Sequence, residues 1–330
     1  MAERPEILTQ ASEQILRRLG GAADAERFRA PPAGARDRTA ELDRLRDGAE
    51  WDEAAVAAAF ARVRPRLQGL RFLFMPCYLS DFLKIPKKLK LTDYFDAQTE
   101  ALRAAGIAAE TVDVNSQDTI ESNARSLRQH LIGHDDRVFI VSHSKGGLDT
   151  LELLLHSDAE LVGRIAGWLP HQAPFGGSPV ADRVAQIDPV RRTAESLLNF
   201  FGGSGGSLHD LRTDVRAHYM RHHAAAVRQI VRRVPTLAVT TAVDEEHPAR
   251  EHTTATYPTL VWMREQGIRS DGIVPTHSMI LPETPYVVLA PVDHTGMVSK
   301  GAGAMSFRDR VLLTQALIAL LLGPDTGSER

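Results

Sequence analysis

The stretch VSHSKGGLD, residues 141–149, ends one kind of sequence and begins another. The apolar run RVFIVS (137–142) before it reads as a buried strand, and GGLDTLELLLHS (146–157) after it has the leucine spacing of a helix. Between them, small-x-Ser-x-Gly is the pattern of a sharp strand-to-helix turn that holds its serine at the tip, with small neighbours letting the chain double back. Ser144 is that serine. Ser142 stands where the strict pattern has glycine, and it is small enough to be accommodated.

Outward from this turn the chain alternates between strand and helix. RFLFM (71–75) reads as strand, TDYFDAQTEALRAAG (92–106) as helix, AAETVDV (108–114) as strand and TIESNARSLRQHLIG (119–133) as helix. RIAGWLPHQAP, PTLAVTTAV (235–243) and YVVLAPV (286–292) supply further strands, and SFRDRVLLTQALIALLLG closes with a helix. Such alternation predicts βαβ units: an α/β fold with a mostly parallel central sheet and helices on both faces.

Two segments depart from the alternation. Residues 24–66 are rich in Ala, Arg, Asp and Glu, with a break at Pro31 and Pro32, and suggest charged surface helices, WDEAAVAAAFARVRPRL being the clearest. They predict an N-terminal helical appendage over residues 1–66, with the catalytic domain over 67–330. Between Pro179 and Pro235, RTAESLLNFF, the Gly-rich GGSGGS (202–207) and HDLRTDVRAHYMRHHAAAVRQIVRRV suggest a helical insertion at about 183–235. It is expected as a cap over the strand ends, the alternative being a packed excursion that does not move.

Composition removes several functions. The chain has 330 residues, 43% hydrophobic and 25% charged, with Lys+Arg of 39 against Asp+Glu of 42 and a formal net charge of -3. No excess of positive charge draws it to nucleic acid or to an anionic membrane. No stretch has the uncharged length a bilayer span requires, and the N-terminal residues lack a basic segment followed by an apolar one. Cys77 is the only cysteine, so no intrachain disulfide can form, in keeping with a cytoplasmic protein.

A serine hydroxyl is a weak nucleophile and needs a histidine to take its proton, with a carboxylate to orient that histidine. In this architecture the chain order is Ser, acid, His, the last two on loops after late strands. Asp271, in RSDGIVPTHS, and His294, in LAPVDHTGMV after the strand YVVLA, fit that order. Parallel strands bring such distant loops to one edge of the sheet. Asp244, after PTLAVTTAV, is the competing acid, in a loop (DEEHPAREH) charged enough to be ordinary solvated surface.

Taken together, the HSKGG turn, the segment APFGGSPVAD (173–182), the DGIVP acid loop and DHTGMV around the histidine resemble the α/β-hydrolase superfamily, within it the bacterial triacylglycerol lipase and esterase branch. The resemblance runs over residues 72 to 297, and DYFDAQTEALRAAG before a strand is also similar to that branch. It implies hydrolysis of carboxylic esters, of lipid or small-molecule type, through an acyl-enzyme, with Ser144, Asp271 and His294 as the triad and no cofactor. It also implies an oxyanion hole. The branch commonly has His-Gly after its early strand, where this chain has Pro76-Cys77, so the expected backbone donors are Tyr78 and Lys145. An intracellular polyester depolymerase or an acyltransferase would use the same machinery. A non-catalytic binding module of the same fold is disfavoured by the ordered Ser, Asp and His.

Other polar residues have plainer readings. The Lys145 ammonium is expected to be solvated or salt-bridged, Asp149 to serve helix packing, and His143 to pack and hydrogen-bond beside the nucleophile. His171 and His277 are expected to be structural. His247 and His252 share the charged loop without an HExxH motif or cysteine partners, so no metal site is expected. Cys77 lacks the elbow and reads as a buried small hydrophobe.

Overall fold

The structure, a computed structural model, describes residues 23–76, 94–114, 118–186, 205–244, 256–299 and 304–323. Its strands are β1 (Arg36–Asp37), β2 (Arg46–Asp47), β3 (Glu50–Trp51), β4 (Leu70–Met75), β5 (Ala108–Thr111), β6 (Arg137–His143), β7 (Ile165–His171), β8 (Ala238–Thr241) and β9 (Pro285–Leu289). Its helices are α1 (Thr39–Asp43), α2 (Glu53–Val63), α3 (Asp96–Ala104), α4 (Ile120–Ile132), α5 (Lys145–Leu155), α6 (Ala159–Gly163), α7 (Pro179–Ala185), α8 (Gly205–Asp210), α9 (Thr213–His222), α10 (Ala224–Arg233), α11 (Tyr257–Glu265) and α12 (Phe307–Leu322).

A 7-stranded sheet runs in the order β1-β9-β8-β7-β6-β4-β5, and each pairing is parallel. Parallel strands need crossovers, which cover both faces, so a central strand is buried on both sides and largely apolar. β6 obeys this: after the exposed Arg137 every residue through His143 is buried. On one face Phe72, Phe74, Phe139, Val141, Leu169 and Val287 meet α2, α3 and α12 through residues such as Phe60, Leu102 and Leu317. On the other, Leu73, Ile140 and Trp168 meet α4, α5 and α10 through Leu127, Leu151 and Ile230. The register places Met75 beside Ser142, His143 beside His171, and Thr241 beside Leu289. The C-terminal ends of the central strands therefore share one edge, where an α/β sheet holds its ligands.

Within the segment expected as an N-terminal appendage, residues 36–63 pack against the sheet and α12. β1 extends the sheet against β9, with Arg36 opposite Pro285, and the Val288 N–H donates to the Thr39 hydroxyl at 2.9 Å. Trp51, Val56, Phe60 and Val63 join the core facing α12. Residues 36–39 (RDRT) carry no strand pattern, yet an edge strand needs only its backbone to pair, so the sequence disguises it. The α2 helix starts as read, with Asp52 capping the Ala55 N–H at 3.0 Å.

Of the insertion, residues 187–204 lie outside the described residues. The remainder, α8 to α10, packs on the nucleophile-bearing side of the sheet: Leu208, Leu211, Val227 and Ile230 are buried in the same core as Leu148 and Leu151 of α5. Asp182 of α7 accepts from the Thr213 N–H at 2.8 Å, and the Tyr219 hydroxyl donates to Glu152 of α5.

Candidate active site

The turn between β6 and α5 is built by steric necessity. Ser144 has φ 53° and ψ -126°, a backbone conformation that a residue with a side chain rarely adopts. Such strain persists where the surroundings over-determine it. Here they do: a Cβ on Gly146 would lie 2.7 Å from the carbonyl oxygens of Met75 and Pro76, and one on Gly147 would lie 2.4 Å from the Ala173 Cβ. The two glycines let α5 press against the end of β4 and the start of the β7 loop. The hydroxyl of Ser142, the departure from the strict pattern, accepts the Trp168 indole N–H at 2.9 Å.

Around this turn the structure brings Ser144, His294 and Asp271 together. His294 Nε2 is 2.9 Å from the Ser144 Oγ, and His294 Nδ1 is 2.7 Å from the Asp271 Oδ2. Asp271 and His294 are fully buried and Ser144 is 7% exposed, so water competes little for these bonds. Asp271 Oδ1 accepts the N–H groups of Ile273 at 2.9 Å and Val274 at 2.8 Å, while Oδ2 also accepts from Gln172 Nε2 at 3.0 Å and the Thr241 hydroxyl at 3.4 Å. These donors hold both carboxylate oxygens in place, with Oδ2 turned to His294. Oδ2 therefore accepts the proton on His294 Nδ1, leaving Nε2 free to take one from Ser144.

Gln172, Thr241 and Tyr94 were not legible as site residues; nothing local in HQAP marks Gln172. His143 Nε2 lies 2.8 Å from Gln172 Oε1 and 2.8 Å from the His294 carbonyl oxygen, and the Tyr94 hydroxyl donates to His143 Nδ1. Burial, then the neighbouring His294, holds the His143 imidazole well below the usual histidine range, so it is neutral.

The other residues singled out lie elsewhere. Asp244 forms an ion pair with Arg269 at 2.6 Å. His277 Nδ1 bonds to the Phe28 carbonyl at 2.9 Å, tying the N-terminal segment to the body. Lys145 turns its ammonium inward to Asp149 at 2.9 Å, and Asn123 donates to the other carboxylate oxygen at 3.0 Å. Burial pushes the Asp149 carboxyl up to about 6 against the opposing pull of Lys145. His171 is buried, neither ring nitrogen has a hydrogen-bond partner among the described residues, and burial lowers it to about 3. Tyr78, Cys77, His247 and His252 lie outside the described residues. Among the described residues no cluster of three or more His, Cys, Asp or Glu could hold a metal. No helix among them is long and apolar enough to cross a membrane.

No family model matches the chain, and no curated protein matches it by sequence. Solved structures match its fold. It is similar to a metagenomic carboxyl esterase, MGS0156, with TM-score 0.65 and 17% identity over 94% of this chain and 98% of that one. The mature lipase BlEst2 of Bacillus licheniformis aligns with TM-score 0.54 and 16% identity over 77% of this chain and 92% of that one. The phospholipase PlaB of Legionella pneumophila aligns with TM-score 0.52 and 14% identity over 78% of this chain and 61% of that one. The chain has the α/β-hydrolase fold.

Proposed function

We propose that this chain is a carboxylic ester hydrolase that works through an acyl-enzyme on Ser144, with His294 as general base and Asp271 holding the histidine. Its support is the continuous chain of hydrogen bonds at 2.9 and 2.7 Å from the Ser144 Oγ through both His294 nitrogens to Asp271, at a turn held with positive φ. The fold shared with esterases and lipases agrees with it.

As Ser144 Oγ bonds to the acyl carbon, His294 Nε2 takes its proton and the carbonyl oxygen becomes an oxyanion. The imidazolium is stabilised by Asp271, which stays ionised. Nε2 then returns the proton to the leaving alcohol oxygen as the ester C–O bond breaks. A water, deprotonated by Nε2, attacks the acyl carbon, and the proton goes back to Ser144 as the acid departs. The first residue of α5, Lys145, has a backbone N–H without an intrahelical partner, and the helix terminus adds partial positive charge where the oxyanion forms. The second donor in this proposal is the Tyr78 amide, from the chain that follows Met75 and Pro76. The substrate class is an acyl ester of lipid or small-molecule type.

The test is labelling of the folded protein with a fluorophosphonate, followed by mass spectrometry, with p-nitrophenyl esters of graded acyl length as substrates. The adduct is expected on Ser144, with turnover lost in Ser144→Ala. An adduct elsewhere overturns the assignment. Asp271→Asn is expected to lower kcat by several powers of ten because the histidine takes the wrong tautomer, whereas Asp244→Asn retains it. The reverse pattern would transfer the acid role to Asp244.

A further inference from the structure

We propose that Gln172 is a positioning residue for the triad acid, fixed in its one productive orientation by His143 and Tyr94; this rests on the reading of Ser144, His294 and Asp271 as the triad. Gln172 is fully buried and has φ 52°, left-handed for a residue with a long side chain. Its backbone N–H still bonds to the Val239 carbonyl at 2.8 Å, so the strained residue is held in the sheet edge directly after β7. The strain directs its amide at the site.

The orientation of that amide follows from its neighbours. The His294 backbone carbonyl faces His143 Nε2 and can only accept, so Nε2 carries the proton. His143 Nδ1 is then bare and accepts the Tyr94 hydroxyl proton. Because His143 offers a donor, Gln172 must present its oxygen there and its NH2 to the other side. The NH2 meets Asp271 Oδ2 at 3.0 Å, the Thr241 hydroxyl oxygen at 2.6 Å and the Asp293 carbonyl at 2.8 Å. A flipped amide would set oxygen against the carboxylate and NH2 against an N–H. The same His143 proton reaches the backbone of His294, so one arm fixes both the acid and the loop of the base. The ionisable groups around this arm are Asp271, Asp293, His294 and, on the strand beside His143, His171.

The amide bond to Oδ2 draws charge from the oxygen that holds His294 Nδ1–H. Without it the carboxylate binds the imidazolium more strongly, and Oδ2 is held on the protein side only by the long Thr241 bond while Oδ1 stays on Ile273 and Val274. The test is Gln172→Met, similar in length and without polar hydrogen, assayed on p-nitrophenyl butyrate with active sites counted by fluorophosphonate. We expect kcat per active site about 10- to 100-fold lower with KM within about twofold. The acid limb of the kcat/KM profile should move to higher pH, as His294 becomes more basic. A structural role alone would lower the count of active sites and leave the limb in place. Tyr94→Phe, which frees His143 to move its proton to Nδ1 and Gln172 to flip, should move the limb the same way and decides the matter if Gln172→Met does not fold. If Ser144→Ala is inactive while the limb and kcat per site are unchanged in Gln172→Met, or in Tyr94→Phe where Gln172→Met does not fold, the positioning role is overturned and the triad stands. If Ser144→Ala remains active, the triad reading itself fails.

Discussion

The Ser142 hydroxyl lies 2.9 Å from the indole nitrogen of Trp168 and accepts its proton, both residues being buried. Successive residues of β6 face opposite sides of the sheet, so Ser142 meets the core beside Trp168 while His143 meets Gln172 and the His294 carbonyl. Ser142→Gly restores the strict elbow pattern and is nevertheless expected to destabilise the protein by about 1–3 kcal/mol, since it leaves a buried N–H without a partner and adds backbone freedom. Urea unfolding at neutral pH measures this. The kcat per labelled site should change less than about threefold.

At Gly146 the constraint is steric. With two carbonyl oxygens 2.7 Å from the added carbon, Gly146→Ala must push α5 away from the end of β4, and neither neighbour is a side chain that can swing aside. Loss of folded protein, or a fall in kcat of about 100-fold in what folds, is the expected outcome. Gly163→Ala is the control, because no atom of the described residues lies within 4 Å of the added carbon there. Thermal unfolding followed by circular dichroism should leave that variant close to the parent.

Lys145 and Asp149 are a buried ion pair one turn apart on α5, each about 1% exposed. Removing one partner strands a charge, so Asp149→Leu is expected to cost about 3–5 kcal/mol. The double variant Lys145→Met with Asp149→Leu should recover most of that loss. A urea-unfolding double-mutant cycle reads the coupling, and additive losses would show that the pair is not the unit that matters.

His171 makes stability depend on acid. Its folded pKa is lowered by burial to about 3 from 6.5, so below about pH 6.5 the unfolded chain takes a proton that the folded protein refuses. Stability therefore falls as pH drops from about 6.5 toward 3, by about 2–3 kcal/mol at pH 4.5 from this residue. His143 acts in the same sense. Asp149 opposes them, because its raised carboxyl binds a proton in the folded state from about pH 6 downward. Replacing His171 with Phe should reduce the difference in unfolding free energy between pH 7 and pH 4.5 by about that amount. An unchanged difference would mean that the imidazole is solvated in the native state.

The sequence by itself determined the alternating strands and helices and the turn at Ser144, and it pointed to Asp271 and His294 as the residues that meet there. These are local facts: apolar runs of strand length, leucine spacing in α5, and glycines where the chain must double back. The strand from RVFIVS, observed over Arg137–His143, and the helix from SFRDRVLLTQALIALLLG, observed over Phe307–Leu322, carry their own patterns. Only the tertiary structure decided what has no local pattern. β1 is an edge strand held by backbone bonds to β9, so its charged residues read as part of a charged, helical surface segment. Asp271 rather than Asp244 faces His294 because the chain returns from α11 to the sheet edge, while Asp244 is drawn to Arg269. Gln172 meets Asp271 from 99 residues away, and His143 meets the His294 carbonyl from 151. Hydrogen bonds of that span exist only once the parallel strands have brought their C-terminal ends to one edge, and no single segment of the chain records them.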